Sequence, residues 1–336
     1  MNKKLKSTLQ YTVLFGLVIV LLWWMLRGMA DKKEEIIRSF QQANYFWVGI
    51  SVIVAGISHF IRAYRWKYLL EPLGYHPRTK NSLAAVLVGY LVNYIIPRAG
   101  ELSRCTAITK YEKVPFQVAL GTVITERIVD FALLILVFLL TLLFQFKELI
   151  GLTDKYILTP MQEKFAKLGD HPALMVLLLV SIAGAVIGFF LFRKKIRSML
   201  TGKFGNLIKG FADGISSIRK MKNPGAFILQ SVLIWAMYFF ALYFCFFALK
   251  ETSQLGLKEC LTILLFGTFG VIFTPGGLGA YHLIVMNILF YYGINETTGF
   301  AFAWLAWGSQ FIFILIAGPI SLIALPLMNK KTNEPA

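Results

Sequence analysis

The stretch LAAVLVGYLVNYIIPRAGE, Leu83–Glu101, decides how this chain is folded. Its apolar part, Leu83–Ile96, runs for 14 residues and stops at Pro97, Arg98, Ala99, Gly100 and Glu101. A helix needs about 20 apolar residues to cross about 30 Å of hydrocarbon. At 1.5 Å per residue this one reaches only about 20 Å. A second stretch has the same form. Leu261–Phe273 supplies 13 apolar residues, breaks at Thr274–Gly279 (TPGGLG), and is followed by another 13, Ala280–Tyr292. Both read as helices that enter a membrane, break and return.

Around these two breaks the chain is a membrane protein throughout. Of its 336 residues 57% are hydrophobic and only 15% charged, with a mean hydropathy of +0.66; soluble domains carry roughly a quarter charged residues. No stretch of mixed composition is long enough for a sizeable soluble catalytic domain. Full spans are expected at Thr8–Leu26, Tyr45–Ile61, Phe116–Phe146, Pro172–Phe192, Ala226–Leu249 and Phe300–Leu327. The first resembles a signal peptide, but its apolar run exceeds the usual 7–15 residues, so it is kept as a span.

Charge fixes direction. Lys and Arg number 34 against 17 Asp and Glu, a net charge of +17. These cations sit in short loops beside apolar runs, where they orient spans and meet anionic headgroups, so nucleic acid is not expected as a partner. Residues 193–225 hold nine Lys/Arg against one Asp and belong in the cytoplasm. Residues 147–172 hold four of each and belong outside. If Leu83–Ile96 crossed fully, the nine-charge loop would end outside; if it re-enters, every loop falls on its expected side. The fold class that follows is an all-α polytopic membrane protein with about six full spans and two re-entrant broken-helix pairs. Residues 1–336 form a single transmembrane domain, with a first half at 1–146 and a second, of opposite orientation, at 172–328. Such inverted repeats place a substrate site at the midplane between broken helices. Both termini are expected in the cytoplasm. Between Lys203 and Lys222, apolar residues at helical spacing predict an amphipathic helix on the inner leaflet.

Charges within spans mark function by default. Phe116–Phe146 contains Glu126, Arg127 and Asp130; the two acids share a face at i, i+4, and Arg127 reaches Asp130 at i+3. The first break brings Arg98 and Glu101 to similar depth, with Asn93 one turn below Pro97. These groups form an ion-pair lock, or a lock that also touches substrate. At the second break Gly276, Gly277 and Gly279 let backbone N–H groups approach an anion ahead of a helix N-terminus. His282 is a titratable candidate or a packing residue. Arg62 and Arg65, with Trp66, close the second span as interfacial anchors or as recruiters of a phosphate headgroup. The sequence has no P-loop, HExxH or GxSxG motif and no clustered histidines. Its three cysteines, Cys105, Cys245 and Cys260, lie far apart. No metal, cofactor or catalytic residue is expected.

Taken in order, Arg62-x-x-Arg65-Trp66, Gly89, Asn93 to Pro97-Arg98-x-Gly100-Glu101, Arg104, Thr125-Glu126-Arg127, Asp130 and Pro275-Gly276-Gly277-x-Gly279 resemble the lysylphosphatidylglycerol synthase transmembrane-region family. The resemblance covers about residues 10–325. It implies a flippase-like membrane protein, the half that in two-part members moves an aminoacylated lipid made by a cytosolic domain. With no such domain before Ala336, this chain is not expected to make that lipid. Carried over by position, the site residues are Asn93, Arg98, Glu101, Arg104, Glu126, Arg127, Asp130 and the Pro275–Gly279 turn. Where relatives often have an acid after the turn, this chain has His282.

The function expected is that of a flippase or scramblase in the cell inner membrane, not an enzyme. It would pass anionic or aminoacylated phospholipid between the two breaks without ATP. Arg98 and Arg127 would meet the phosphate, and Glu126 or Asp130 would be the proton sites of any gradient coupling. A secondary transporter of a small solute and an intramembrane enzyme acting on a lipid-linked substrate are the alternatives. The sequence leaves the lipid and the oligomeric state open.

Overall fold

The computed structural model describes residue 16 and residues 19–96, 98–163 and 221–330. The expected span Pro172–Phe192, residues 203–220 of the amphipathic segment and the start of Thr8–Leu26 lie outside them. The described residues are helical, with no strand among them. The helices are α1 (Ile19–Gly28), α2 (Lys33–Gln42), α3 (Tyr45–Leu70), α4 (Thr79–Ile95), α5 (Gly100–Glu112), α6 (Phe116–Thr153), α7 (Pro224–Phe246), α8 (Leu257–Phe273), α9 (Ala280–Tyr291) and α10 (Glu296–Met328). Among them α3, α6, α7 and α10 are long and apolar enough to cross a membrane. Ile312, Leu315, Ile316, Ile320 and Ile323 are exposed along one side of α10. An apolar face of that extent suits lipid, not water.

Local sequence sets the ends. Asn44 and Asn295 cap α3 and α10, their side chains accepting from the N–H groups of Phe46 and Thr298 at 3.1 and 2.7 Å. Glu259 accepts from the N–H of Gly256 at the start of α8. Lys32 donates to Glu296 at 2.8 Å, a bond that raises the lysine's pKa, and Thr297 donates to Glu35. Together they hold α2 to the N-terminal end of α10.

The chain falls into two compact units, Met1–Thr141 with Lys220–Ala336, and Leu142–Arg219. In the smaller unit the described residues continue α6 past Gln145, where the backbone leaves helical geometry (φ −138°, ψ 37°). A short π-type stretch follows at Asp154–Leu158. All candidate site residues belong to the larger unit.

There, α4 and α5 fold back on each other as a hairpin. Asn93 sits opposite Gly100 and accepts its N–H at 2.7 Å. Ala84 and Val88 pack with Ala107 and Tyr111, and at the open end Asn81 donates to Glu112. Glycine makes the approach possible: a Cβ on Gly100 would overlap the carbonyl oxygen of Gly89 and the side chain of Asn93. Helices α8 and α9 form a second hairpin, in which a Cβ on Gly270 would meet the backbone of Tyr281 at 2.9 Å and Tyr292 donates to Thr262 at 3.1 Å.

The two hairpins meet α10 from opposite ends. Asn81 and Arg78, at the open end of the first, bond Asn329 beyond the C-terminus of α10. In the second, Met286 packs on Phe300 near the N-terminus of α10. Their tips converge on Trp307, whose indole N–H donates to the Gly276 carbonyl at 2.7 Å while its ring lies edge-on to Tyr94. Trp307 lies about 17 Å from the helix start at 1.5 Å per residue.

Because Gly100 has no room for a methyl group, Gly100→Ala is expected to destabilise the protein by about 1–3 kcal/mol, the usual cost of overpacking. Gly121→Ala, on an open face of α6, should leave the melting temperature in detergent unchanged or higher. Thermal unfolding of the two variants beside wild type checks this.

Candidate functional site

An ion-pair cluster joins α3, α5 and α6. Arg62 donates to Asp130 at 2.8 Å, and Arg65 donates to the other Asp130 oxygen at 3.2 Å. Arg65 also lies 3.5 Å from Glu126, and Arg104 donates to the second Glu126 oxygen. Arg62, Arg65 and Glu126 are 2%, 0% and 0% exposed. Two further donors are occupied, since Arg62 bonds Tyr238 at 3.0 Å and Arg65 bonds Ser231 at 2.8 Å, both on α7. The Nε atoms of Arg62, Arg65 and Arg104 are buried without a partner among the described residues. Trp66 lies under the Arg104 guanidinium at 4.1 Å and donates its indole N–H to Thr122.

The interfacial position expected of Arg62 and Arg65 is therefore corrected. They occur at i, i+3 on one face of α3, which fits the i, i+4 carboxylates of Glu126 and Asp130 on α6. Burial of those acids in an apolar span requires cations, and α3 is the helix that supplies them. Arg104, one face of α5, completes the set. Three buried arginines face two buried carboxylates, so this core carries one positive charge beyond what it neutralises.

A cavity of about 910 Å³ opens beside the cluster. Asn93, Arg98 and Glu101 line it from the first tip, Arg127 from α6, and Gly276 and Gln310 from the opposite side. Arg127 is 3.6 Å from both Glu101 and Asp130, and its side chain is 44% exposed. The second Glu101 oxygen is buried without a hydrogen-bond partner. Arg98 is exposed, with no hydrogen bond or ion pair among the described residues. Its φ of 64° lies in the left-handed region, which costs a residue with a Cβ about 1–2 kcal/mol. That backbone turn aims a free guanidinium at the cavity.

A second, narrower cavity of about 510 Å³ adjoins the first and shares Tyr90, Tyr94, Arg127 and Gln310 with it. Leu134, Ile263, Leu264 and Ile314 make it apolar, and Phe131 and Ile272, both exposed, also line it. Arg62 and Asp130 touch its inner end.

Other expected residues are placed differently. At the second tip two of the amide donors are already engaged. The N–H groups of Gly277 and Leu278 are used within the turn by Thr274 and Pro275. Gly276, Gly277 and Gly279 adopt φ of 58°, 85° and 81°, and Gly276 leaves room for the Tyr94 ring. His282 lies behind the tip, fully buried, 4.0 Å from the ring centre of Trp304 and 5.0 Å from that of Trp307. It does not line either cavity. Arg104 and Glu126 stand behind the wall, not in it. The aromatic lining of Tyr90, Tyr94, Trp307 and Tyr238 was not singled out from sequence, because tyrosine and tryptophan are frequent throughout the chain. Among the described residues no group of three His, Cys, Asp or Glu side chains is placed to hold a metal ion.

Residues 11–318 match the family described as the lysylphosphatidylglycerol synthase TM region. The chain belongs to that family. It is also similar to a UPF0104 membrane protein of Methanocaldococcus jannaschii, 29% identical over 131 residues, which are 38% of this chain and 37% of that protein. A weaker similarity joins it to the glycosyltransferase AglD of Haloferax volcanii, 23% identical over 126 residues, 37% of this chain and 20% of AglD. The chain thus spans well under half the length of either curated relative. No solved structure matches it. Membership fits a lipid-related role in a membrane, and the family resemblance read from the motifs stands.

Asp130 binds two buried arginines, so Asp130→Asn should cost about 3–5 kcal/mol, the usual loss when one partner of a buried pair is removed. Glu101→Gln, at the partly exposed edge, should cost under about 1 kcal/mol. Comparing their unfolding midpoints in detergent checks the ranking; equal losses would mean that the cluster is not the core of the fold.

Proposed function

We propose that the chain is a flippase or scramblase of the cell inner membrane, passing the headgroup of an anionic or aminoacylated phospholipid between its two hairpin tips. In this reading the hairpins are re-entrant, belong to an inverted repeat, and approach the midplane from opposite leaflets around α10. Both termini then face the cytoplasm. The observation that carries the reading is the unbalanced positive charge beside a cavity. In a low-dielectric interior, an excess cation calls for an anion, and Arg98 and Arg127 are the two guanidiniums that a ligand can reach. A phosphate oxygen pair suits their planar donors.

Lateral access favours a lipid over a soluble solute. The lining of the apolar cavity includes Phe131 of α6 and Ile272 of α8, both exposed apolar residues, which supports an opening toward the bilayer. A solute site would be sealed from lipid at that level. An enzyme using Glu126 and Asp130 for acid–base chemistry is disfavoured, because both carboxylates are engaged by arginines and Glu126 does not reach either cavity. They position the arginines. The lipid therefore passes unchanged, without ATP, either to equilibrium or along an ion gradient.

Arg98→Gly separates this role from folding, since glycine relieves the left-handed backbone while deleting the cation. In liposomes holding headgroup-labelled phosphatidylglycerol, quenched from outside with dithionite, wild type should expose the inner-leaflet pool. Arg98→Gly and Arg127→Gln should slow that phase about tenfold or more, with Arg98→Gly at least as heat-stable as wild type. Wild-type rates in both variants would remove the proposed site.

A further inference from the structure

We infer that the lipid does not leave both chains in the bilayer while its headgroup crosses: one hydrocarbon chain enters the apolar cavity among α3, α6, α7, α8 and α10. The inference rests on the flippase reading and deepens it by assigning a second subsite. The polar and apolar cavities are adjacent, with Tyr90, Tyr94, Arg127 and Gln310 lining both. A ligand whose phosphate is held by Arg98 and Arg127 therefore has the apolar cavity directly beside its anchored end. That cavity is lined by Leu134, Leu242, Ile263, Leu264 and Ile314, and by the exposed Phe131 and Ile272.

Charge complementarity and the adjacency of the two cavities together define the occupant. A soluble anion such as free phosphate would fill only the arginine end and leave the apolar cavity without a partner. A neutral hydrocarbon would fill only the other. An amphiphile with a phosphate at one end and an alkyl chain at the other satisfies both, and burying the chain is a gain only against water. Against bilayer that gain vanishes, because lipid tails are as apolar as leucine. The cavity therefore does not raise affinity much. It keeps the chain aligned with a headgroup that has left its own leaflet, so the two ends of the lipid need not separate by half the membrane thickness.

The test uses the reconstituted full chain and phosphatidylglycerol bearing a diazirine midway along one acyl chain. After irradiation, adducts are mapped by mass spectrometry. The expected adducts fall on Leu134, Leu264 and Ile314. Excess unlabelled phosphatidylglycerol should remove them and diacylglycerol, which lacks the phosphate, should not. In Arg127→Gln they should drop about tenfold. Adducts confined to the outward residues Ile135, Leu139, Ile316 and Ile320, in vesicles that still move lipid, would overturn the chain subsite and leave the flippase reading intact. Adducts in the cavity that diacylglycerol removes equally would also overturn it, since the chain would then enter without its phosphate. Vesicles in which wild type moves no lipid would instead remove the flippase reading on which it rests.

Discussion

Everything in the larger unit is arranged around buried carboxylates that cannot stay ionised alone. Glu126 and Asp130 lie in an apolar helix, where an unpaired charge costs several kcal/mol even after relaxation. Arg62, Arg65 and Arg104 answer them from two other helices. That requirement draws α3 and the α4–α5 hairpin onto α6, and through Ser231 and Tyr238 it draws in α7. The arrangement overshoots by one positive charge, and the surplus is the physical origin of the proposed ligand.

The second constraint is backbone. A hairpin that stops at membrane depth frees amide and carbonyl groups that lipid cannot satisfy. Here the first tip is closed by Asn93 on Gly100 and the second by Trp307 on Gly276, with the amides of Gly277 and Leu278 bonded inside the turn. Tyr94 resting against Gly276 then ties one tip to the other. The two tips are held together by a few side-chain contacts, which is compatible with the proposed passage of a headgroup between them.

Much of this was legible in the sequence, for definable reasons. Helix breaks show because proline and clustered glycine interrupt apolar runs, and both hairpins fall where those interruptions stand. Glu126, Arg127 and Asp130 stand out because charge in a span is rare. Partner choice was hidden. Arg62 and Arg65 follow a long apolar run, where an interfacial anchor and a buried pair look alike until α6 is placed beside α3. The glycines of the second tip announce a sharp turn, but not that the ring of Tyr94 rests against Gly276. His282 reads as titratable in any sequence, and only the surrounding Trp304 and Trp307 reveal a packing position.

The central claim, that surplus positive charge at the tips selects a phosphate-bearing lipid, is tested most directly by headgroup competition. Headgroup-labelled phosphatidylglycerol and a labelled glycosyl diacylglycerol, equal in chains but lacking phosphate, are followed in the same reconstituted vesicles. The account predicts that phosphatidylglycerol equilibrates about tenfold faster or more. Equal rates for the two lipids would contradict it.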